Sequence, residues 1–200
     1  ASEMMVRAAQ AGLQISEVPI TYTRRVSPPK LSRFRDAWRH IRFMLLFAPT
    51  YLFLIPGMVL MGVGLLGVLV LAKGQVWILG WGFDFHTMIL ASMLTLLGYQ
   101  IAMLGLYAKA YSWTQGVAKE SLVISTTLRY FQLEKGIVLG LVISFAGFLV
   151  GLVTFVNWAK QGFGALWAVR PLILAMTFSI LGIQIIFSSF FLSVLGIEKK

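Results

Sequence analysis

The chain has 200 residues, of which 58% are hydrophobic and 12% charged, and it carries a net charge of +10. A charged share far below the ~25% of soluble domains, with a mean hydropathy of +0.84, excludes an ordinary soluble domain and points to a membrane protein. Cysteine is absent, which excludes disulfides, thiolate zinc sites and thiol nucleophiles; the basic residues stand beside lipid-length apolar runs, which favours an anionic membrane over nucleic acid as their partner.

The opening residues, ASEMMVRAAQAG, lack the charged and apolar regions of a signal peptide and read as the middle of a domain. Met4, Met5, Ala8 and Ala11 share one face of a helix that Gly12 would stop. In LQISEVPITYT, Val18, Ile20 and Tyr22 alternate with Pro19, Thr21 and Thr23, which is strand period, with Pro19 expected to give an edge or an irregular entry. One helix and one strand bury no sizeable core. Residues 1–32 are therefore expected to be the last piece of an α/β domain, and the chain the C-terminal part of a longer protein.

Pro28 and Pro29 bar a helix in the loop from Arg24 to Ser32. From Arg33 the period becomes helical. Phe34, Trp38, Ile41 and Leu45 fall in one narrow arc, and Arg35, Arg39 and Arg42 cluster about a quarter turn away. Residues 33–48 thus read as a basic amphipathic helix lying in the membrane interface, with Trp38, Arg35, Arg39 and Arg42 at the lipid surface. Each Arg or Lys near an anionic leaflet contributes about 1 kcal/mol. For Arg24, Arg25 and Lys30 two readings stand side by side. They are further headgroup contacts, or they hold a specific phosphate, for which Arg offers a planar fork and Lys a compact charge.

Residues 49–200 are expected to form a transmembrane domain. Apolar runs at about 51–72, 87–108, 136–158 and 171–195 each reach the ~20 residues that cross a bilayer, and helices are the state that pairs every backbone group in lipid. The expected fold is a mainly α membrane protein: an α/β remnant, an interfacial helix and four transmembrane helices. Arg7, Arg24, Arg25, Lys30, Arg33, Arg35, Arg39 and Arg42 precede the first span, whereas Lys73 alone separates the first from the second. Lys109, Lys119, Arg129 and Lys135 follow the second, Lys160 and Arg170 the third, and Lys199 and Lys200 the fourth. The positive-inside rule then puts both termini in the cytoplasm, in a plasma membrane expected to be bacterial. Trp77, Trp81, Trp158 and Trp167 fall at the opposite span ends as an aromatic belt.

No metal-ligand cluster or catalytic triad is visible. Asp84 and His86, in GWGFDFH, read as a polar turn capping the second span. No Asp, Glu, Lys or Arg falls mid-span, which argues against an ion-coupled transporter. Gln100 and Gln184 are expected to hydrogen-bond between helices. The spacing of Gly147 and Gly151 in GFLVG is expected to bring helices close, within the chain or between copies in a homo-oligomer.

EMMVRAAQAGLQISEVPITY, the basic loop after it, KLSRFRDAWRHIRFMLLFAPTYLFLIPG and, later, FQLEKGIVLG together resemble the end of a family 2 glycosyltransferase. The likeness is to the polyprenyl-phosphate (dolichol-phosphate-like) sugar transferases with C-terminal membrane helices. It implies a cytoplasmic GT-A domain, of which residues 1–32 would be the remnant. That domain would bind a nucleotide-sugar through a divalent metal, Mg or Mn, on an Asp-x-Asp motif and pass the sugar to a polyprenyl phosphate. Arg24 or Arg25, with Lys30, would then stabilise phosphate charge. Two departures stand out. Ser27, Pro28 and Pro29 precede Lys30-Leu31 where relatives have Gly-x-Ser, and Asp36 and Asp84 are the sole aspartates, so the sequence has no Asp-x-Asp. No catalytic residue or metal ligand is assigned within these residues. A non-catalytic membrane scaffold, or a component of a lipid-linked-sugar flippase, is the alternative.

Overall fold

The computed structural model describes residues 8, 12–14, 16, 18, 19, 21, 34, 37, 38, 50–114, 133–164 and 168–197. The chain divides into two compact units, Ala1–Leu45 and Leu46–Lys200.

In the first unit Ala8 is helical, and Gly12 adopts the left-handed region at φ 71°. The Leu13 N–H donates to the Ala8 carbonyl at 3.0 Å, the closing bond expected of a glycine helix stop. The expected strand is not seen among the described residues, with Ile20, Tyr22 and Thr23 lying outside them. Val18, Pro19 and Thr21 belong to no strand, and Val18 is exposed. Alternation is not sufficient for a strand, because its N–H and C=O groups need a neighbouring ladder, and none runs beside them among the described residues. No GT-A-like α/β remnant is evident there. Phe34, Ala37 and Trp38 are helical, and Phe34 and Trp38, one turn apart, are both exposed.

The second unit is built on four long helices: α1 (Ile55–Leu71), α2 (Phe85–Thr114), α3 (Leu133–Lys160) and α4 (Val169–Ile197). With the turn that opens α1, all four are long and apolar enough to cross a membrane, and they fall on the four apolar runs. The opening turn, Thr50–Leu54, is a π-helix. Pro56 fits this placement: it stands in the first turn of α1, where its missing N–H leaves the Leu52 carbonyl, four residues back in the π-turn, without an α bond. Between α1 and α2, β1 (Val76–Ile78) and β2 (Trp81–Phe83) form an antiparallel hairpin that registers Val76 with Phe83 and Ile78 with Trp81. Its tip residues, Leu79 and Gly80, both have positive φ. That matches the two-residue turns whose twist suits a hairpin.

Packing runs along the row α1–α2–α4–α3. Small residues allow it. On α1, a Cβ at Gly57 would lie 2.8 Å from the Gly98 carbonyl oxygen, and one at Gly64 would lie 2.6 Å from that of Ala91. On α3, a Cβ at Gly147 would lie 2.8 Å from the Ala175 carbonyl oxygen, and one at Gly140 would lie 2.7 Å from that of Gly182. The two helix pairs therefore use one pattern twice. Two glycines seven residues apart on the first helix receive the backbone of the second, where Ala91, Thr95, Gly98 and Ala102 correspond to Ala175, Ser179, Gly182 and Ile186. The close approach expected at Gly147 is thus made within the chain, whereas Gly151 meets Ala175 at an ordinary 3.5 Å.

Between the pairs, α2 and α4 run parallel. The Ser92 and Thr177 hydroxyls are hydrogen-bonded at 2.7 Å, and the Tyr107 and Phe191 rings meet edge-on at 4.7 Å. These small hydroxyls take the role expected of the glutamines. Gln100 is exposed, and the buried Oε1 of Gln184 has no partner among the described residues. A short side chain on an interface can bond without splaying the helices; a long amide there must be housed.

Candidate functional site

Antiparallel connection puts the β-hairpin, the start of α2, the end of α3 and the start of α4 at one end of the bundle. Thr50, the end of α2, the start of α3 and the end of α4 lie at the other. The chemistry of the two ends differs.

At the hairpin end several polar groups pair with one another, although Arg170 Nε is buried without a partner among the described residues. Asp84 caps α2: its Oδ1 accepts the Phe85 N–H at 2.8 Å, and its carbonyl accepts the Met88 N–H at 3.1 Å. Across the bundle Arg170 of α4 donates to the same Oδ1 in a short ion pair. The Arg170 hydrogen bond, and less strongly the Phe85 N–H, hold the Asp84 carboxyl below the usual carboxylate range, against the opposing pull of desolvation. The Trp158 indole donates to the Gly164 carbonyl at 2.6 Å and packs edge-on against Phe155 and Phe163. Trp77, Leu79 and Trp81 of the hairpin are exposed. Beneath them Val68, Leu71, Met88 and Ala91 form a closed cluster with Ile173 and Leu174 packed on it. No group of three His, Asp or Glu able to hold a metal occurs among the described residues. Asp84 and His86 are near neighbours, but the carboxylate's partners are a cap and an arginine.

The other end carries a groove among the described residues. A groove of about 430 Å³ lies over α2, within the ~300–1,000 Å³ of ligand pockets. Leu54 of the π-turn and Met58, Met61 and Leu65 of α1 form one wall. Tyr99, Met103 and Leu106 of α2 form the floor, and Leu139 of α3 with Leu181 and Ile185 of α4 close the far side. The lining is almost entirely apolar. One turn beyond its end, Lys109 of α2 reaches across to the π-turn, where its Nζ donates to Thr50 Oγ1 at 3.0 Å. Lys109 is half-buried, and no carboxylate pairs with it among the described residues.

Sequence reasoning counted Lys109 only as a loop charge, because the second apolar run ends at Ala108. Helix α2 continues to Thr114, which places the lysine on the bundle. A lysine three residues beyond Leu106 on a packed helical face was the available signal. Arg24, Arg25, Lys30, Arg35, Arg39 and Arg42 lie outside the described residues, as does Trp167. Trp38 is described, helical and exposed.

Four helices long and apolar enough to span a bilayer define an integral membrane protein. Residues 106–196 match the family described as "Glycosyltransferase family 2 C-terminal transmembrane region". The chain is similar to the low-salt glycan biosynthesis hexosyltransferase Agl6 of Haloferax volcanii, with 38% identity over 196 residues, 98% of this chain and 47% of the relative. It thus spans about half the length of the curated relative it matches. No solved structure matches the chain. Residues 106–196 thus carry the C-terminal transmembrane region of family 2 glycosyltransferases.

Proposed function

We propose that the protein transfers a hexose from a nucleotide-sugar to polyprenyl phosphate at the cytoplasmic face of the membrane. The observation that carries this reading is the 98% coverage of this chain by a hexosyltransferase at 38% identity. The apolar groove, with Lys109 one turn beyond its end, suits an acceptor that has both a phosphate and a tail. A phosphate oxygen of the acceptor attacks the anomeric carbon, and the nucleoside diphosphate departs.

In this reading residues 1–32 belong to the cytoplasmic GT-A domain, residues 33–48 lie in the interface, and residues 49–200 anchor the enzyme with both termini cytoplasmic. The end bearing Thr50 and Lys109 is then the cytoplasmic end. Arg24, Arg25 and Lys30 contact the donor diphosphate or the acceptor phosphate, as their forked and point charges suit. Arg35, Arg39, Arg42 and Trp38 hold the membrane surface. The described residues do not fit a divalent metal, since they contain no ligand cluster and the sequence has no Asp-x-Asp. Mg or Mn would be held by the nucleotide-binding domain of the parent enzyme, and no step by the present residues runs through it.

The test is transfer of labelled hexose by the full-length protein in nanodiscs, with polyprenyl phosphate and with unphosphorylated polyprenol. Product with the phosphate alone supports the reading; no lipid product from any nucleotide-hexose contradicts it. Arg25→Ala and Lys30→Ala are expected to lower turnover with membrane insertion intact. Wild-type turnover in both returns the loop to surface binding.

A further inference from the structure

We infer that the groove holds the phosphate-proximal part of a single isoprenoid chain, and that Lys109, with Thr50, binds the phosphate at its head. The proposal rests on the polyprenyl-phosphate reading above and assigns that lipid a place in the transmembrane bundle.

Three observations select this occupant. The first is depth. The wall of the π-turn and α1 runs from Leu54 to Leu65, roughly 16 Å at 1.5 Å per residue, about half of the ~30 Å hydrocarbon core. Beyond it the closed cluster around Val68 and Met88 fills the interior. A groove that starts at one surface and stops mid-bilayer takes a chain from one leaflet only. The second is charge. An ammonium at the end of a span whose one described partner is a hydroxyl is under-compensated, and a phosphate brought alongside by the lipid supplies the missing anion. Lys109 is also turned inward to Thr50, rather than extended freely to water as a snorkelling lysine would be. The third is the lining. Met58, Met61 and Met103 are unbranched and adaptable, which suits the irregular contour of a methyl-branched chain. Among the described residues the groove has Lys109 one turn beyond its end, which suits a phosphate carried on a single chain.

The experiment is a titration of the protein in nanodiscs with a short polyprenyl phosphate, the matching polyprenol and phosphatidylglycerol. Three variants are used: Lys109→Ala, Lys109→Arg and Leu139→Trp. Leu139 is half exposed, so an indole there fills the groove without entering the core. Saturable binding of polyprenyl phosphate is expected. Loss of a charge-assisted bond weakens it about tenfold in Lys109→Ala, with most of the loss restored in Lys109→Arg. Leu139→Trp weakens phosphate and polyprenol alike.

Equal competition by phosphatidylglycerol overturns the proposal in favour of bulk lipid. No uptake of any lipid overturns it in favour of a protein segment filling the groove. The failure of the enzyme reading looks different. If wild-type protein transfers hexose and every variant matches its KM, the groove proposal falls and the enzyme reading stands. If binding depends on Lys109 but no hexose is ever transferred, the site stands and the enzyme reading falls.

Discussion

The two ends of the bundle are made of the same four helices and solve opposite problems. At the hairpin end Arg170 meets Asp84, Asp84 caps α2, and the Trp158 indole meets a carbonyl. At the other end the helices leave an apolar groove, and a half-buried lysine has a hydroxyl as its described partner. Among the described residues, an ion pair at one end and a lysine without a carboxylate at the other separate scaffold from site. A charge whose partners are already present holds a structure, and one whose partner is missing invites a ligand.

The largest expected effect comes from breaking the frame that both ends share. Gly98 sits against the backbone of Gly57 and Met61, so Gly98→Leu must force α1 from α2. Backbone cannot yield as a side chain can, so the loss should exceed the ~1–3 kcal/mol of ordinary overpacking. Thermal unfolding in nanodiscs should show the folded bundle lost. The matching Gly182→Leu should do the same to α3 and α4. Tolerance of either would mean the repeated glycine pattern does not set the helix spacing.

Next in size is Lys109→Ala, with about tenfold weaker binding of polyprenyl phosphate and unchanged unfolding temperature. An equal drop in stability would make Lys109 a structural residue, and the contrast between the ends would collapse.

Asp84→Asn should do the reverse. The Asp84 carboxyl is held below its ordinary range chiefly by the Arg170 hydrogen bond. A depressed carboxyl contributes stability that is complete above the unfolded-state pKa and is lost as pH falls through the folded value. The variant should therefore unfold at a lower temperature than wild type at neutral pH. The two should converge in acid, and lipid binding should not change. A difference that persists below the folded value would assign the effect to packing.

The smallest effect is expected at Gly62, where an added Cβ meets nothing within 4 Å. Gly62→Ala should raise stability by no more than about 1 kcal/mol, the helix-propensity difference, in a melt run beside Gly98→Leu. A large loss would point to a contact on that face with another copy of the chain.

The spans were legible because burial in lipid imposes length and composition on a continuous stretch, as in residues 136–158 within α3. The cap was legible because Asp84 stands directly before an apolar run. The strand around Val18 is not seen among the described residues, because a strand exists only through its neighbour and alternation carries no record of one. The hairpin at Val76–Phe83 was missed for a related reason: Trp77 and Trp81 read equally well as interface anchors. The groove has no local signature. It arises where Leu54, Leu106 and Leu139, distant in sequence, fail to fill the space between α1 and α3, and leucines that line a void look like leucines that fill one. Lys109 was visible but misplaced, since hydropathy ends a span where the charge begins, whereas a helix carries on to the water.

The most direct measurement is photo-crosslinking of the protein in nanodiscs with a polyprenyl phosphate bearing a diazirine a few carbons from its phosphate, with adducts located by peptide mass spectrometry. Adducts at Leu54, Met58 or Leu106, reduced in Lys109→Ala and unaffected in Asp84→Asn, are the predicted result. Adducts spread along the exposed face of α3, at Val142 and Phe145, or gathered at Trp77 and Trp81, would contradict it.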